Sequence, residues 1–131
     1  MATVLVVDDD EDTRFLLGFV LERAGHRVIY APDGEAALRV WADSPLDVVI
    51  TDLAMPRRNG LRLIKEIHAR APYLPVIAMS GVSAEQLDMA QDLGARHILY
   101  KPLDPGKVLW TLEEALKDDA PAPWAGGMVW D

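Results

Sequence analysis

The stretch Thr3-Val-Leu-Val-Val-Asp-Asp9 joins an unbroken run of strand-forming residues to two carboxylates. The apolar residues are continuous rather than alternating, which is typical of a strand covered on both faces, as in a parallel sheet. Two later stretches repeat the arrangement: Val48-Val-Ile50 precedes Asp52, and Val76-Ile-Ala-Met79 precedes Ser80. The pattern therefore predicts a parallel sheet in which polar residues directly follow buried strands.

Five strand-like runs alternate with five stretches of helical spacing. Such alternation favours a doubly wound α/β fold, with a parallel sheet between two layers of helices. The predicted strands are Thr3–Val7, Arg27–Tyr30, Leu46–Thr51, Pro75–Ser80 and His97–Tyr100, and the predicted helices are about Glu11–Ala24, Gly34–Asp43, Gly60–Ala69, Ala84–Leu93 and Pro105–Lys117.

Capping residues support these helix boundaries. Gly25 and Gly94 follow the first and fourth helices, where a left-handed residue ends a helix. Asp104 before Pro105 is typical of an N-cap followed by the first helical position, and Ser83-Ala-Glu-Gln86 matches a capping box.

Length and composition exclude several classes of protein. The chain has 131 residues, which is typical of one domain, and 50% of them are hydrophobic, which excludes intrinsic disorder of the body. The net charge of −8 excludes nucleic-acid binding through phosphates by this chain alone. Without cysteine there are no disulfides, thiolate zinc sites or cysteine nucleophiles. The run Ala2–Val7 is too short for a signal peptide or a membrane span, so a cytoplasmic location is expected.

The end of the chain changes in character. After residue 118 prolines and glycines become frequent, and Trp124 and Trp130 stand among them. We expect a domain over residues 1–118 and a tail or linker over residues 119–131. Weak docking of the two tryptophans on the body is favoured over a partner motif.

Chemically useful side chains follow four of the predicted strands. Asp8 and Asp9 follow the first, Asp52 the third, Ser80 ends the fourth and Lys101 follows the fifth. Ligands of open parallel sheets bind beyond the carboxyl ends of the strands, so these side chains are expected to meet at one edge.

Three adjacent carboxylates repel one another and favour a hard divalent cation such as Mg²⁺. An oxygen of Asp52 beside such an ion is placed to attack phosphorus and form an aspartyl phosphate, with Lys101 and Ser80 on the phosphoryl oxygens. Residues 10–12 are interpreted as a solvated helix start. The three histidines, His26, His68 and His97, lack metal-ligand spacing.

Four stretches together resemble the response-regulator receiver domain of two-component signalling, in its single-domain form. The resemblance covers about residues 3–117. The matching stretches are Val4-Leu-Val-Val-Asp-Asp9, Ile50-Thr-Asp-Leu-Ala-Met-Pro56 with Asn59-Gly60, Met79-Ser-Gly81 and Tyr100-Lys-Pro102.

The resemblance implies a flavodoxin-like sheet of order 2-1-3-4-5 and a function. Asp52 would be the phosphoacceptor, and Ser80 and Lys101 would bind the phosphoryl group. Mg²⁺ or Mn²⁺ would be held by Asp8, Asp9, Asp52 and the backbone carbonyl of Ala54, and the Lys101–Pro102 bond would be cis. The donor would be a phosphohistidine on a histidine kinase or a histidine phosphotransfer protein.

Two features depart from the family pattern. Ile98 occupies a switch position where the family usually has a Tyr or Phe ring that swings inward on phosphorylation. No output domain follows, so the expected output is protein binding or onward phosphotransfer.

Side chains over the path of a hydrolytic water in this family correspond to Ala54 and Val82, which cannot orient water, so slow self-dephosphorylation is expected.

Two helices carry candidate partner surfaces. In the first, the core stripe is predicted to be Leu16, Leu17, Val20 and Leu21, while Phe15 and Phe19 either fold under a loop or form an exposed patch for a phosphohistidine-bearing helix bundle. In the last, the predicted core residues are Val108, Leu112 and Leu116. Trp110 lies off this stripe and is interpreted as part of a contact surface, and a homodimer through the fourth and fifth helices is the candidate assembly. In the alternative interpretation, its ring lies flat on the surface or packs under the tail.

Three functions are compatible with these patterns. The first is a stand-alone receiver that catalyses only its own phosphorylation and dephosphorylation. The second is a receiver-like adaptor that binds partners without phosphorylation, an option that Ile98 keeps open. The third is a hydrolase with an aspartate nucleophile, which needs a second acid two residues later, where this chain has Ala54.

Overall fold

The computed structural model describes residues 1–53, 60–81 and 84–117, with only the backbone of residues 84–87. Strands and helices alternate along the chain, as the sequence predicts. They are β1 Thr3–Val7, α1 Glu11–Arg23, β2 Arg27–Ala31, α2 Gly34–Asp43, β3 Val48–Asp52, α3 Gly60–Arg70, β4 Val76–Ser80, α4 Ala84–Leu93, β5 His97–Tyr100 and α5 Pro105–Leu116.

The five strands form one parallel sheet in the order β2-β1-β3-β4-β5, which confirms the predicted topology. β1 lies at the centre of the reversal: Val4 pairs with Val28 of β2 on one side and with Val48 of β3 on the other. From β1 the chain adds β2 on one side and then β3, β4 and β5 on the other side, so the connecting helices cover both faces of the sheet. The crevice left at the carboxyl end of β1 and β3 is where this architecture places a ligand.

β3 is shifted relative to the prediction of Leu46–Thr51. It begins at Val48, because Asp47 interacts with the start of β1 instead: the Asp47 N–H donates to the Thr3 carbonyl at 2.9 Å, and the Asp47 carboxylate accepts from the Thr3 N–H at 2.8 Å. It extends through Asp52, which pairs with Met79 of β4. The acidic residue is therefore part of the sheet and not of the loop after it.

Two apolar layers hold the sheet. α1 and α5 cover one face, with Leu17, Leu21 and Leu112 fully buried among side chains of β1, β3 and β4. α2, α3 and α4 cover the other face, where Leu63 and Ile64 are buried. Every residue of β3 and β4 is buried, which confirms the interpretation of their continuous apolar runs.

Helix boundaries follow local hydrogen bonding. Asp10, Asp33 and Asp104 are N-caps whose carboxylates accept from backbone N–H groups three residues later. Gly25 has a φ of 94° and Gly94 a φ of 130°, the left-handed conformations predicted for helix ends. The predicted capping box at residues 83–86 and the tail at residues 119–131 lie outside the described residues.

The predicted core stripes need two corrections. Leu16 is 37% exposed, because it faces the groove between α1 and α5 and not the sheet, whereas Leu17, Val20 and Leu21 are buried. Leu116 is only partly buried at the end of α5, although it packs against the same core. None of the helices described here is long and apolar enough to cross a membrane.

Candidate functional site

The carboxyl edge of the sheet brings three carboxylates together. Asp8 and Asp9 follow β1 and Asp52 ends β3, and one carboxylate oxygen of each lies within 4.8 Å of the others. Asp8 is 0% exposed and Asp52 is 7% exposed, while Asp9 is open to solvent. The fold therefore produces a compact acidic site with one open side.

Lys101 supplies the positive charge of this site. Its Nζ atom lies 3.0 Å from Oδ2 of Asp8 and 3.3 Å from Oδ1 of Asp52. The Lys101 N–H donates to the Ser80 carbonyl at 3.1 Å, which ties the end of β5 to the end of β4. The Lys101–Pro102 peptide bond is cis. One ammonium group thus bridges two buried carboxylates that come from neighbouring strands.

The charges of the site do not balance. When ionised, three carboxylates against one ammonium leave an excess of two negative charges. Burial raises the pKa of Asp52, and the negative charge of Asp8 raises it further, against the opposing effect of Lys101. Burial lowers the pKa of Lys101, but its hydrogen bond to Asp8 and the charges of Asp52 and Asp8 together raise that pKa above its usual value. Lys101 therefore stays charged, and the acidic cluster favours a further cation.

Asp8 is held by backbone contacts as well. Its Oδ1 accepts from the Asp10 N–H at 2.9 Å, and its carbonyl accepts from Nη1 of Arg14 at 2.7 Å. The Asp10 carboxylate in turn accepts from the Thr13 hydroxyl at 2.7 Å, the largest of the effects that lower the pKa of Asp10. The interpretation of Asp10 as part of a helix start is thus confirmed. The sequence analysis does not predict this role of Arg14, because residue spacing does not indicate a hydrogen bond from a helical arginine to the backbone carbonyl of a residue six positions earlier.

Ser80 completes the described part of the edge. It is buried at the end of β4, one residue after Met79, the register partner of Asp52. Ala54, the remaining predicted metal ligand, lies outside the described residues, as does Val82.

The histidines lie elsewhere. His26 Nδ1 accepts from the Ala2 N–H, and the ring of His68 lies against Gly94. Among the described residues, the clustered side chains that could hold a metal ion are the three aspartates alone.

Ile98 and Tyr100 lie on the same face of β5, since side chains two residues apart share a face. Ile98 is partly buried against the core under α2, α3 and α4, whereas Tyr100 is 68% exposed. Trp110 of α5 is 66% exposed. Together with Ile98 and Tyr100 it lines a groove of about 690 Å³, which Pro102 and Lys107 also line. The prediction that Trp110 lies off the core stripe is confirmed.

α1 presents a second apolar surface. Phe15 and Phe19 are both exposed, so the alternative in which they fold under a loop is wrong. The guanidinium carbon of Arg23 lies 5.3 Å from the ring centroid of Phe19. A groove of about 360 Å³ between Phe19, Leu16 and Leu109 runs beside them. We call Phe15, Leu16 and Phe19 the α1 patch.

Comparisons with known proteins agree with this geometry. Residues 4–113 match the response regulator receiver domain family. The sensory/regulatory protein RpfC of Xanthomonas campestris is 37% identical over 116 residues, which are 85% of this chain and 16% of RpfC. The transcriptional regulatory protein GlrR of Escherichia coli is 35% identical over 122 residues, 92% of this chain and 28% of GlrR. The chain therefore spans less than a third of the length of these relatives.

Solved structures show the same fold. The chemotaxis protein CheY4 of Vibrio cholerae superposes with a TM-score of 0.83 at 32% identity, over 88% of this chain and 99% of CheY4. The receiver domain of NtrX from Brucella abortus superposes with a TM-score of 0.84 at 33% identity, over 87% of this chain and 98% of that domain. Family match, fold and acidic edge agree, and the chain belongs to the response regulator receiver domains of two-component systems.

Proposed function

We propose that this receiver domain is a phosphorylation-dependent switch that accepts a phosphoryl group on Asp52. The observation that carries the proposal is the cluster of Asp8, Asp9, Asp52 and Lys101 at the carboxyl edge of the sheet. The donor is a phosphohistidine on a histidine kinase or a histidine phosphotransfer protein. The domain spans residues 1–118, acts in the cytoplasm and signals through protein contacts or onward phosphotransfer, without direct contact to nucleic acid.

The transfer exchanges one bond at phosphorus for another. A carboxylate oxygen of Asp52 attacks the phosphorus, an O–P bond forms, and the N–P bond of the phosphohistidine breaks. The electron pair of that bond returns to the imidazole nitrogen, and one proton taken from solvent on the other ring nitrogen makes the leaving group a neutral imidazole. Lys101 moves its ammonium group from the carboxylates to a phosphoryl oxygen, and the Ser80 hydroxyl donates to another.

The residues present suit a divalent cation. Carboxylates offer the hard oxygen ligands that Mg²⁺ prefers, and an excess of two negative charges matches the charge of the ion. Asp8, Asp9, Asp52 and the backbone carbonyl of Ala54 would hold Mg²⁺ or Mn²⁺. When bound, such an ion neutralises the carboxylates and the charge that develops on the phosphoryl oxygens.

The direct test is incubation with acetyl phosphate, with and without Mg²⁺, followed by intact mass measurement. The proposal predicts a gain of one phosphoryl mass that requires the metal. The adaptor alternative, favoured by the aliphatic and partly buried Ile98, predicts partner binding without any gain. Sustained release of phosphate from many substrate molecules per protein would instead indicate a hydrolase.

The α1 patch is proposed to dock the phosphohistidine partner. We expect Phe19→Ser to slow transfer from a cognate phosphohistidine protein by about tenfold, since loss of an aromatic anchor costs interfaces roughly 1–2 kcal/mol or more. Transfer from acetyl phosphate should be unchanged, because that donor is too small to touch α1. Tyr73→Ser, which also removes an exposed ring, is the control. Equal slowing with both donors would contradict a docking role.

Trp110 is proposed to hold a homodimer through α4 and α5. Trp110→Ala should shift the sedimentation coefficient of the phosphorylated protein from dimer to monomer, because an exposed tryptophan that lines a groove is a typical interface anchor. The parent protein, with and without phosphorylation, provides the reference. A parent that sediments as a monomer in both states would remove the dimer from the proposal.

The phosphorylated form is expected to be long-lived. Hydrolysis needs a water held in line with the bond to phosphorus, and neither Ala54 nor Val82 offers a group that could hold one. We expect the double variant Ala54→Asn, Val82→Glu to lose the phosphoryl group faster than the parent in Mg²⁺, followed by mass. Unchanged decay would show that these positions have no kinetic role.

A further inference from the structure

We propose that Thr51 and Gly60 are positioning residues for Asp52, because together they immobilise the peptide unit that follows it. The inference rests on the proposed function of Asp52 as the phosphoacceptor. Both residues lie in stretches that match the family, but the resemblance assigns neither of them a role, and both are buried. Their effect is on the backbone from which the acceptor side chain projects.

Gly60 allows the first turn of α3 to lie directly on that backbone. A Cβ atom at this position would stand 2.0 Å from the Asp52 carbonyl oxygen and 2.8 Å from the Leu53 Cα. These neighbours are main-chain atoms, which cannot rotate away as a side chain would. The backbone of Gly60 has no left-handed conformation, unlike Gly25 and Gly94. Glycine is therefore required here for space and not for torsional freedom.

Hydrogen bonds hold the same segment from the other sides. The Gly60 N–H donates to the Leu53 carbonyl at 3.0 Å, and the Leu53 N–H donates to the Met79 carbonyl at 3.1 Å. The Thr51 hydroxyl, on a fully buried residue, donates to the Asp52 carbonyl at 2.9 Å. The carbonyl of Asp52 is thus fixed by a side-chain donor and by the close packing of α3.

This restraint matters because the site depends on short distances. Oδ1 of Asp52 lies 3.3 Å from Nζ of Lys101. One carboxylate oxygen of Asp52 lies within 4.8 Å of a carboxylate oxygen of Asp8 and of Asp9. Room for a methyl group requires either a displacement of the Asp52–Leu53 peptide or an outward shift of α3, which stretches the hydrogen bond from Gly60 to Leu53 that restrains this peptide. A displacement of about 1 Å in a reacting group costs roughly 10²-fold in rate.

Four variants of the full chain test the proposal. Gly60→Ala introduces the collision, Thr51→Val removes the hydroxyl at nearly constant volume, and Thr51→Ser restores a hydroxyl. Gly25→Ala strains a left-handed glycine with open space around it, far from the site, and so destabilises the fold without touching Asp52. For each we would measure thermal stability, the labelling rate with acetyl phosphate, and the affinity for MgCl₂ alone by calorimetry.

We expect Gly60→Ala to slow labelling by about tenfold or more and Thr51→Val by about fivefold, both with weaker Mg²⁺ binding. Thr51→Ser should recover most of the parent rate, and Gly25→Ala should keep it despite its lower melting temperature. Parent-like labelling and Mg²⁺ affinity in Thr51→Val and Gly60→Ala would overturn the proposal. So would a Thr51→Ser variant as slow as Thr51→Val, or equal slowing in Gly25→Ala.

The test remains decisive if one variant does not fold or if the parent is not labelled. If Gly60→Ala does not fold, the comparison of Thr51→Val with Thr51→Ser decides the matter alone, since both keep the packing around residue 60. If the parent takes up no phosphoryl group, the proposed function of Asp52 fails. The Mg²⁺ affinities of the same variants then decide whether Thr51 and Gly60 position its carboxylate.

Discussion

Asp52→Asn should abolish the gain of one phosphoryl mass from acetyl phosphate and from a phosphohistidine donor. An amide oxygen is a far weaker nucleophile than a carboxylate oxygen, and the substitution keeps the shape of the side chain. Mass measurement after incubation with Mg²⁺ checks the result. Asp88→Asn, which removes an exposed carboxylate on α4, is the matched control and should be labelled like the parent. Labelling of the Asp52→Asn variant at the parent level would refute the proposed function.

The same substitution has a second, independent signature in stability. Burial and the charge of Asp8 raise the pKa of Asp52, so its ionised form is disfavoured in the folded protein. At neutral pH without metal, the variant with the neutral amide should therefore unfold at a temperature no lower than the parent. Because a raised carboxyl pKa costs stability only where the group is ionised, any advantage of the Asp52→Asn variant should fade as the pH falls through the pKa of Asp52. Added Mg²⁺ should stabilise the parent more than the variant.

Lys101→Met should destabilise the metal-free protein by about 2–4 kcal/mol. This is somewhat less than the roughly 3–5 kcal/mol for removing one partner of a fully buried ion pair, because the lysine is partly exposed. The variant leaves Asp8 and Asp52 buried without their shared cation. Urea unfolding at neutral pH checks the value, and Mg²⁺ should restore much of the loss by supplying positive charge. Lys107→Met, at an exposed position on α5, is the control and should change little.

The pH dependence of this loss has a definite sign. The pKa of Lys101 in the folded protein lies above its usual value of 10.5. The ion pair therefore contributes fully below that usual value, and the contribution is lost as the pH rises through the folded-state pKa. The difference in unfolding free energy between parent and Lys101→Met should be level from neutral pH to about pH 10 and shrink above it. A difference that grows with rising pH would contradict the assignment of the pair.

The prediction of the fold succeeded because local pattern and global architecture agree. Continuous apolar runs such as Val48-Val-Ile50 suit only strands covered on both faces, and Gly25, Gly94 and Asp104 end or begin helices for local reasons. Two errors occur where tertiary contacts override local preference. Asp47 pairs with Thr3 and shortens β3, and Leu16 turns toward the groove beside α5 instead of the sheet.

The acidic site was predictable for a related reason. In a parallel sheet every strand ends at the same edge, so Asp8, Asp52 and Lys101 meet there although they are far apart in sequence. The contacts that hold these side chains in place are harder to predict from the sequence. The bond from Arg14 to the Asp8 carbonyl depends on the exact turn between β1 and α1, and no spacing rule encodes that turn.

The element order, the parallel sheet and the identity of the charged groups at its carboxyl edge follow from the amino-acid sequence alone, because hydrophobic periodicity and strand-end position are properties of the linear chain. The exposure of Phe15 and Phe19, in contrast, depends on tertiary packing, since the elements that surround a helix determine which of its faces stays uncovered. The close approach of Gly60 to the Asp52 carbonyl also depends on tertiary packing. Contact between two backbones depends on how closely α3 packs on β3, and that distance cannot be predicted from the properties of single residues.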